Sequence, residues 1–243
     1  DYVNGQFVWT DGTTGLKERY DGAGTGNLLS TSDSSGNRVS YFYNADNSIA
    51  SVVSSNGETT YFDYTNGDLT GIRSITTAVN GTRNTTAVRY QYDASHRLTS
   101  VIVDLSPDDN DITDGNVYRT DYTYDGNSTR VATVEQSDGT SLALTYVQIG
   151  SDFRVASVTD GLGNKTQYAY DTANRKTTVI DPMGQASVFA YDAQGQLLSV
   201  TGPAVGGVTA VRRFEYDNAG DVVRVTDENG NAIKFDYDAY GNI

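Results

Sequence analysis

One spacing dominates this sequence: a tyrosine recurs about every 21 residues, with successive steps of 23, 21, 28, 32, 22, 24, 21, 25 and 21 residues. These anchor tyrosines are Tyr20, Tyr43, Tyr64, Tyr92, Tyr124, Tyr146, Tyr170, Tyr191, Tyr216 and Tyr237. A fixed period of this length indicates a repeat architecture, in which each unit packs against its neighbours in the chain. We therefore expect residues 1–243 to form about ten copies of one unit, with insertions at 71–87 and 105–116.

Each unit has the sequence pattern of a β-hairpin, shown well by residues 189–200. An aromatic lies two residues before most anchors, and a strand places such a pair on one face. Asp-x-x-Gly follows, as in Asp192 to Gly195, where Asp suits the first turn position and Gly accepts a positive φ. The return strand carries Leu197 and Val200, a spacing of three that predicts a β-bulge or a local twist.

Consecutive hairpins are expected to pair edge to edge, because an isolated two-stranded hairpin is marginally stable in water. The sequence thus predicts an all-β fold of stacked hairpins in a continuous antiparallel sheet. The recurring tyrosines are predicted to pack against one another as its structural core. The predicted core positions are Tyr43, Tyr64, Tyr92, Tyr124, Tyr170, Tyr191, Tyr216 and Tyr237.

The charge balance argues against a nucleic-acid partner. The chain has 17 Lys and Arg against 31 Asp and Glu, a net charge of −14, whereas phosphate-backbone binding needs clustered positive charge. It contains no Cys, so disulfides and thiolate metal sites are excluded. No apolar run reaches the length of a membrane-spanning helix. Abundant Gly, Asn, Thr and Tyr with little Lys is typical of an extracellular protein.

The single histidine, His96, occupies the position that Gly takes in other first turns, as at Gly195 and Gly220. Asn47 and Asn174 take the same position in other units. Asn, Asp and His are the non-glycine residues enriched at positive φ, so we interpret His96 as a turn residue rather than as a catalytic group or metal ligand.

The acidic insertion around residues 107–115 is the candidate for a metal site. Ca²⁺ prefers several carboxylate and carbonyl oxygens from one short loop, which Asp109, Asp111 and Asp114 would supply. The EF-hand pattern is not met, because the sixth and twelfth positions counted from Asp109 are Asp114 and Thr120 rather than Gly and Glu. A solvated loop without a cofactor is the preferred interpretation, and calcium is the alternative.

The Tyr-Asp dipeptide followed by x-x-Gly, repeated throughout the chain, resembles the YD repeats of bacterial Rhs proteins, toxin-complex shell subunits and teneurins. The literal Tyr-Asp pair is kept at Asp21, Asp93, Asp125, Asp171, Asp192, Asp217 and Asp238. The resemblance implies a sheet that spirals into a hollow shell, which encloses a C-terminal toxic domain in bacterial members and belongs to an extracellular adhesion molecule in teneurins. Nothing here matches the self-cleaving segment that often ends bacterial shells, since Asp181-Pro182 lies at an ordinary repeat turn.

The function expected on this basis is structural and non-catalytic: one segment of a longer shell protein that encapsulates or displays a toxin or other effector domain. Its main partner would be the rest of its own polypeptide, and it would be secreted or at the cell surface, with the export signal outside this segment. The alternative is an adhesin or a carbohydrate- or protein-binding module that contacts a receptor or glycan through the repeat tyrosines. A glycosidase using two of the 26 Asp side chains is a third candidate.

Overall fold

The structure is a computed structural model that describes residues 1–78 and 81–243. Within these residues the chain forms 21 strands and no helix, and the paired strands run antiparallel. The predicted all-β hairpin fold is confirmed. Consistent with it, the described part of the chain offers no helix of the length and hydropathy needed to cross a membrane.

The chain divides into two compact units, of which the first comprises Asp1–Thr123 and Glu135–Asp138. Successive strands of this unit pair in chain order. They are β1 (Tyr2–Val3), β2 (Gln6–Thr10), β3 (Lys17–Asp21), β4 (Leu28–Ser32), β5 (Arg38–Tyr43), β6 (Ile49–Ser54), β7 (Thr59–Thr65), β8 (Asp68–Ala78), β9 (Gly81–Tyr92), β10 (Leu98–Asp104) and β11 (Val117–Tyr124).

The second unit comprises Tyr124–Val134 and Gly139–Ile243, and β12 (Val131–Gln136) contributes residues to both. From β13 onwards its strands also pair in chain order. They are β13 (Ser141–Ile149), β14 (Asp152–Asp160), β15 (Lys165–Asp171), β16 (Lys176–Ile180), β17 (Ala186–Tyr191), β18 (Leu197–Val205), β19 (Val208–Tyr216), β20 (Val222–Thr226) and β21 (Ala232–Lys234).

A β-bulge lies beside the anchor tyrosine in most hairpins. Tyr191 pairs with Leu197 while Ala190 pairs with Ser199, so Leu198 is an extra residue in the return strand. The same shift occurs in the hairpins β3–β4, β5–β6, β7–β8, β9–β10, β13–β14 and β19–β20. The bulge predicted from the spacing of Leu197 and Val200 is confirmed. It increases the local twist and bends the return strand.

The hairpin β15–β16 departs from this pattern. Its register runs without a shift from Gln167 opposite Ile180 to Asp171 opposite Lys176. Asn174 lies in its turn as predicted and donates to Asp171, but the positive φ falls on the next residue, Arg175, at 52°. The same prediction is confirmed for Asn47 and His96, which have φ values of 67° and 60°.

The two predicted insertions differ in structure. Residues 71–87 extend the long hairpin of β8 and β9, whose pairing continues to Ala78 opposite Gly81, while 79–80 lie outside the described residues. Residues 105–116 connect β10 to β11 through turns and bends without a strand of their own. The first insertion is therefore added sheet, and the second is a loop.

Side chains in this fold are mostly half-buried. Among the described residues, Ile102 is the buried apolar side chain, and Ser30, Ser100, Asp104 and Ser157 are buried polar ones. A sheet with so few fully buried groups gains little from a dense core. Its stability has to come from contacts between neighbouring strands and from hydrogen bonds, which makes the placement of polar groups important.

Candidate functional site

The repeated feature that carries the architecture is a hydrogen bond from an anchor tyrosine to the preceding hairpin. The Tyr170 hydroxyl donates to the carbonyl oxygen of Val155 at 2.8 Å, and the Tyr237 hydroxyl donates to that of Val222 at 2.9 Å. We call each such bond a rung. Further rungs join Tyr43 to Leu28, Tyr64 to Ile49, Tyr146 to Val131 and Tyr216 to Leu197.

The rungs form where the backbone ladder between two hairpins stops. Strands β14 and β15 pair from Thr159 opposite Lys165 only as far as Ser157 opposite Gln167. Beyond that point the bulged strand bends away, and the tyrosine hydroxyl reaches the carbonyl of Val155, which is itself paired with Tyr146 of the previous repeat. Each rung thus satisfies a backbone carbonyl at a bulge and ties one repeat to the next.

The aspartate after the anchor tyrosine closes the hairpin turn. One carboxylate oxygen of Asp192 accepts the backbone N–H groups of Gln194 and Gln196 at 2.9 and 2.8 Å, and Gly195 adopts a φ of 87°. Asp93, Asp217 and Asp238 make the equivalent pair of bonds. At Tyr216-Asp217 and Tyr237-Asp238 the dipeptide therefore combines an inter-repeat rung with a turn acceptor.

The second turn of several repeats uses an Asp-Asn pair. The Asn164 side-chain amide donates to Asp160 at 2.9 Å while its backbone N–H donates to the other carboxylate oxygen at 2.8 Å. The side-chain bond from Asn164 is the main cause that holds the pKa of Asp160 below its usual value. Asp33 with Asn37 and Asp227 with Asn231 repeat this arrangement and this pKa shift, and Asp238 with Asn242 shows both in a first turn.

The eight tyrosines predicted as core positions are all half-buried in the structure. Burial raises the pKa of the hydroxyl in Tyr43, Tyr92 and Tyr170. Within the described residues, the hydroxyls of Tyr92 and Tyr191 donate no hydrogen bond to the protein, unlike the tyrosines that form rungs. Tyr124 lies at the end of β11.

Arginine side chains lie over some of these rings, a feature that the sequence reasoning missed. The Arg154 guanidinium carbon is 5.2 Å from the Tyr170 ring centre, and that of Arg130 is 5.5 Å from the Tyr146 ring and 3.7 Å from the Phe153 ring. The sequence signal is an arginine immediately before the rung acceptor, as in Arg154-Val155. The packing adds cation–π attraction to these rungs.

The acidic insertion uses its carboxylates in local turns. Asp109 accepts the N–H of Asp111, and Asp111 accepts the N–H and hydroxyl of Thr113. Asp114 accepts the Asn116 N–H and amide and the Ser106 hydroxyl. In the described ranges, no three carboxylate or histidine side chains lie close enough together to hold a metal ion.

An ion pair attaches this insertion to the sheet. Arg89 lies 3.2 Å from the carboxylate of Asp104, whose side chain is fully buried, and its other terminal nitrogen donates to the side chain of Asn110 at 2.6 Å. Asp104 also accepts the N–H of Ser106 at 3.0 Å. Arg83 pairs with Asp108 in the same region. These partners are distant in sequence, so motif reading could not find them.

His96 makes a contact that its turn position did not predict. Its Nδ1 lies 2.7 Å from the Asp68 carboxylate, which joins the turn of hairpin β9–β10 to that of hairpin β7–β8. The Asp68 carboxylate is also among the causes that raise the pKa of Tyr92, after burial. His96 therefore links two successive repeats.

Known proteins share this repeat and this fold. The RHS repeat family profile matches residues 154–186, 191–232 and 216–243. Residues 154–243 carry RHS repeats. Crystal structures of TcdB2-TccC3, and of TcdB2-TccC3 without its hypervariable C-terminal region, align with TM-scores of 0.51 and 0.50 at 14% identity. Each alignment covers 91% of this chain and 14% of the larger chain, so this chain spans about one seventh of the length of those proteins. No curated protein sequence matches the chain.

Proposed function

We propose that this chain is a wall segment of an Rhs-type shell that encloses or displays a toxin or another effector domain. The observation that carries the proposal is the rung, because a hydroxyl that bridges each bulge keeps consecutive hairpins together where their backbone ladder ends. RHS repeats and the fold shared with TcdB2-TccC3 support the same role. The segment acts as a barrier and performs no chemistry.

The partners follow from this role. The rest of the same polypeptide, including a C-terminal toxin domain, would lie against the wall, in a protein that is secreted or placed at the cell surface. The acidic side chains outnumber the basic ones and give the chain a net charge of −14, which disfavours contact with nucleic acid.

Limited proteolysis of the intact polypeptide tests the proposal. We expect the sequence outside the repeats to resist protease while the wall is folded and to be cleaved rapidly when Tyr170→Ala and Tyr216→Ala remove two rungs. Gln194→Ala, in an exposed turn, is the control and should keep the resistance. Equal cleavage of the unmodified protein, the variant with both tyrosine substitutions and Gln194→Ala would show that the repeats do not shield the rest of the polypeptide.

An adhesin is the second candidate, favoured by the exposure of Phe7 and Trp9 on one face of β2. Trp9 is the single tryptophan, so its fluorescence reports directly on this surface. A saturable spectral shift with a soluble receptor fragment or a glycan, abolished by Phe7→Ser, would favour the adhesin.

A further inference from the structure

The unbulged hairpin β15–β16 changes the environment of the next anchor tyrosine. Because β16 does not bend away, its ladder with β17 continues to Lys176 opposite Ala190, and the Tyr191 N–H donates to the Arg175 carbonyl at 3.0 Å. The backbone thereby makes the connection that a rung makes elsewhere. The Tyr191 hydroxyl has no hydrogen-bond partner in the described part of the protein, although the ring is half-buried.

A cavity of about 430 Å³ opens at this irregular hairpin. Its walls include the rings of Tyr170 and Tyr191 and three cations, Arg154, Arg175 and Lys176. None of these three cations forms an ion pair with a carboxylate in the residues that the structure describes. Lys176 interacts electrostatically with Asp171, and two of the three cations, Arg154 and Arg175, have no carboxylate partner among the described residues, which is unexpected in a chain whose net charge is −14.

The two carboxylates at the cavity already have hydrogen-bond partners. Asp171 accepts the N–H and side-chain amide of Asn174 at 3.0 and 2.7 Å. Asp192 holds its own turn through Gln194 and Gln196. Asp171 also interacts with Lys176, so the guanidinium groups of Arg154 and Arg175 are the charged groups that remain available to a ligand.

Arg175 occupies an unfavourable backbone conformation. Its φ is 52°, and the other non-glycine residues with positive φ in the described chain are Asn and His. An arginine gains nothing from this conformation that glycine or asparagine would not supply better. Such an outlier is a reason to look for a function of the side chain, and this side chain lines the cavity.

We propose that this cavity binds a carboxylate-bearing saccharide. Guanidinium groups pair with carboxylates through two parallel hydrogen bonds, and Arg154 is held over the Tyr170 ring at 5.2 Å. The Tyr191 hydroxyl and the two aromatic rings suit the hydroxyls and faces of a sugar. The volume lies within the range of small-ligand sites, roughly 300 to 1,000 Å³. The inference is independent of the shell role, because it rests on a departure from the regular repeat.

An acidic peptide is the competing ligand, and the cavity fits it less well. A single Asp or Glu side chain would engage the cations but leave the Tyr191 hydroxyl and the rings unused. The negative charge of the whole chain also repels acidic polymers in general. Binding of an acidic ligand therefore requires that its shape and its polar groups fit the cavity itself.

Isothermal titration calorimetry of the whole chain tests the proposal with four probes. We expect saturable binding of trigalacturonate, and no binding of the neutral sugar galactotriose, of triglutamate or of inorganic phosphate at the same concentrations. Absence of trigalacturonate binding, or equal binding of triglutamate or phosphate, would overturn the proposal.

Three variants locate the site. Arg175→Gly removes a cation and relieves the positive φ, so the chain should fold at least as well and bind trigalacturonate about tenfold more weakly. Lys165→Gln removes an exposed cation outside the cavity and should leave trigalacturonate binding unchanged. If it weakened binding as much as Arg175→Gly, binding would depend on the net charge of the chain and not on this cavity. Tyr191→Phe should weaken binding without lowering the unfolding midpoint, and a midpoint shift as large as that of Tyr216→Phe would contradict the role of the free hydroxyl.

Discussion

The hydroxyl of Tyr170 donates a hydrogen bond to the carbonyl oxygen of Val155, fifteen residues earlier in the chain, at 2.8 Å. The same separation recurs for Tyr43, Tyr64, Tyr146 and Tyr237. It increases to nineteen for Tyr216 because the hairpin β18–β19 is longer, and the acceptor is still the residue paired with the preceding anchor. The bond is therefore specified by the repeat geometry and not by a fixed count of residues.

Removal of one rung hydroxyl should destabilise the protein measurably. Tyr170→Phe keeps the ring but leaves the Val155 carbonyl without its donor, so we expect a loss of about 1 kcal/mol in the free energy of unfolding. Tyr191→Phe is the matched control, because its hydroxyl makes no bond to lose in the described structure, and should change stability by less than about 0.5 kcal/mol. Chemical denaturation measures both, and equal losses would refute the rung.

Glycine in the repeat turns should matter through its backbone conformation alone. Gly36 has a φ of 90° and Gly24 does not have a positive φ, while a methyl group at either position would meet no atom within 4 Å. Gly36→Ala should therefore cost about 1 kcal/mol and Gly24→Ala almost nothing. Both lie in the first unit, so one thermal or denaturant transition reports on both. A larger loss of stability for Gly24→Ala than for Gly36→Ala would mean that steric space, and not the backbone φ, determines the cost of the added methyl group.

The pair of Arg89 and Asp104 should be sensitive to the loss of one partner. Arg89→Met leaves the fully buried Asp104 carboxylate without its cation and releases Asn110, so we expect a loss of about 3 kcal/mol. Adding Asp104→Leu removes the unpaired charge and should recover much of that loss. A double-mutant cycle by denaturant titration gives the coupling, and purely additive losses would contradict a direct interaction.

Stability should decline in acid because of the turn carboxylates. The pKa values of Asp160, Asp227 and Asp238 are lowered in the folded chain, mainly by the side-chain amides of Asn164, Asn231 and Asn242. Each group then contributes stability that is present above its unfolded pKa, about 3.9, and is lost as the pH falls through its lower folded value.

We expect the free energy of unfolding to change little between about pH 5 and 8 and to fall below about pH 4. Asn164→Ala and Asn231→Ala remove the donors without changing the net charge and should make that fall shallower. Unfolding titrations at a series of pH values provide the measurement. If the free energy of unfolding fell equally steeply with pH in the variant that carries both substitutions, the two side-chain amides would not determine the acid sensitivity.

The regular part of the fold could be predicted from local sequence. Aromatic pairing, Asp-x-x-Gly and the spacing of Leu197 and Val200 encode strands, turns and bulges within a few residues of each other. The rungs could not be predicted, because they depend on where the ladder between hairpins stops. The positive φ of Arg175 could not be predicted either, because it accompanies the unbulged register of β15–β16 and lies one residue beyond Asn174.

The contacts of His96 and Arg89 were also beyond sequence reasoning. Asp68 lies 28 residues before His96, and Asn110 lies 21 residues after Arg89, so no local motif joins them. The acidic insertion gave a composition compatible with calcium, but composition does not show where carboxylates point. In the structure those of Asp109, Asp111 and Asp114 accept bonds from their own turns.

Because each rung in the described residues reaches the hairpin immediately before it, these repeats do not depend on the fit of a distant one. A duplicated or deleted copy would create a single new junction and leave all others as they were, which gives such a protein an easy route to change size during evolution. A mutation that disrupts one repeat should have a local effect for the same reason. That repeat can be strained or locally open while the repeats on either side keep their own geometry.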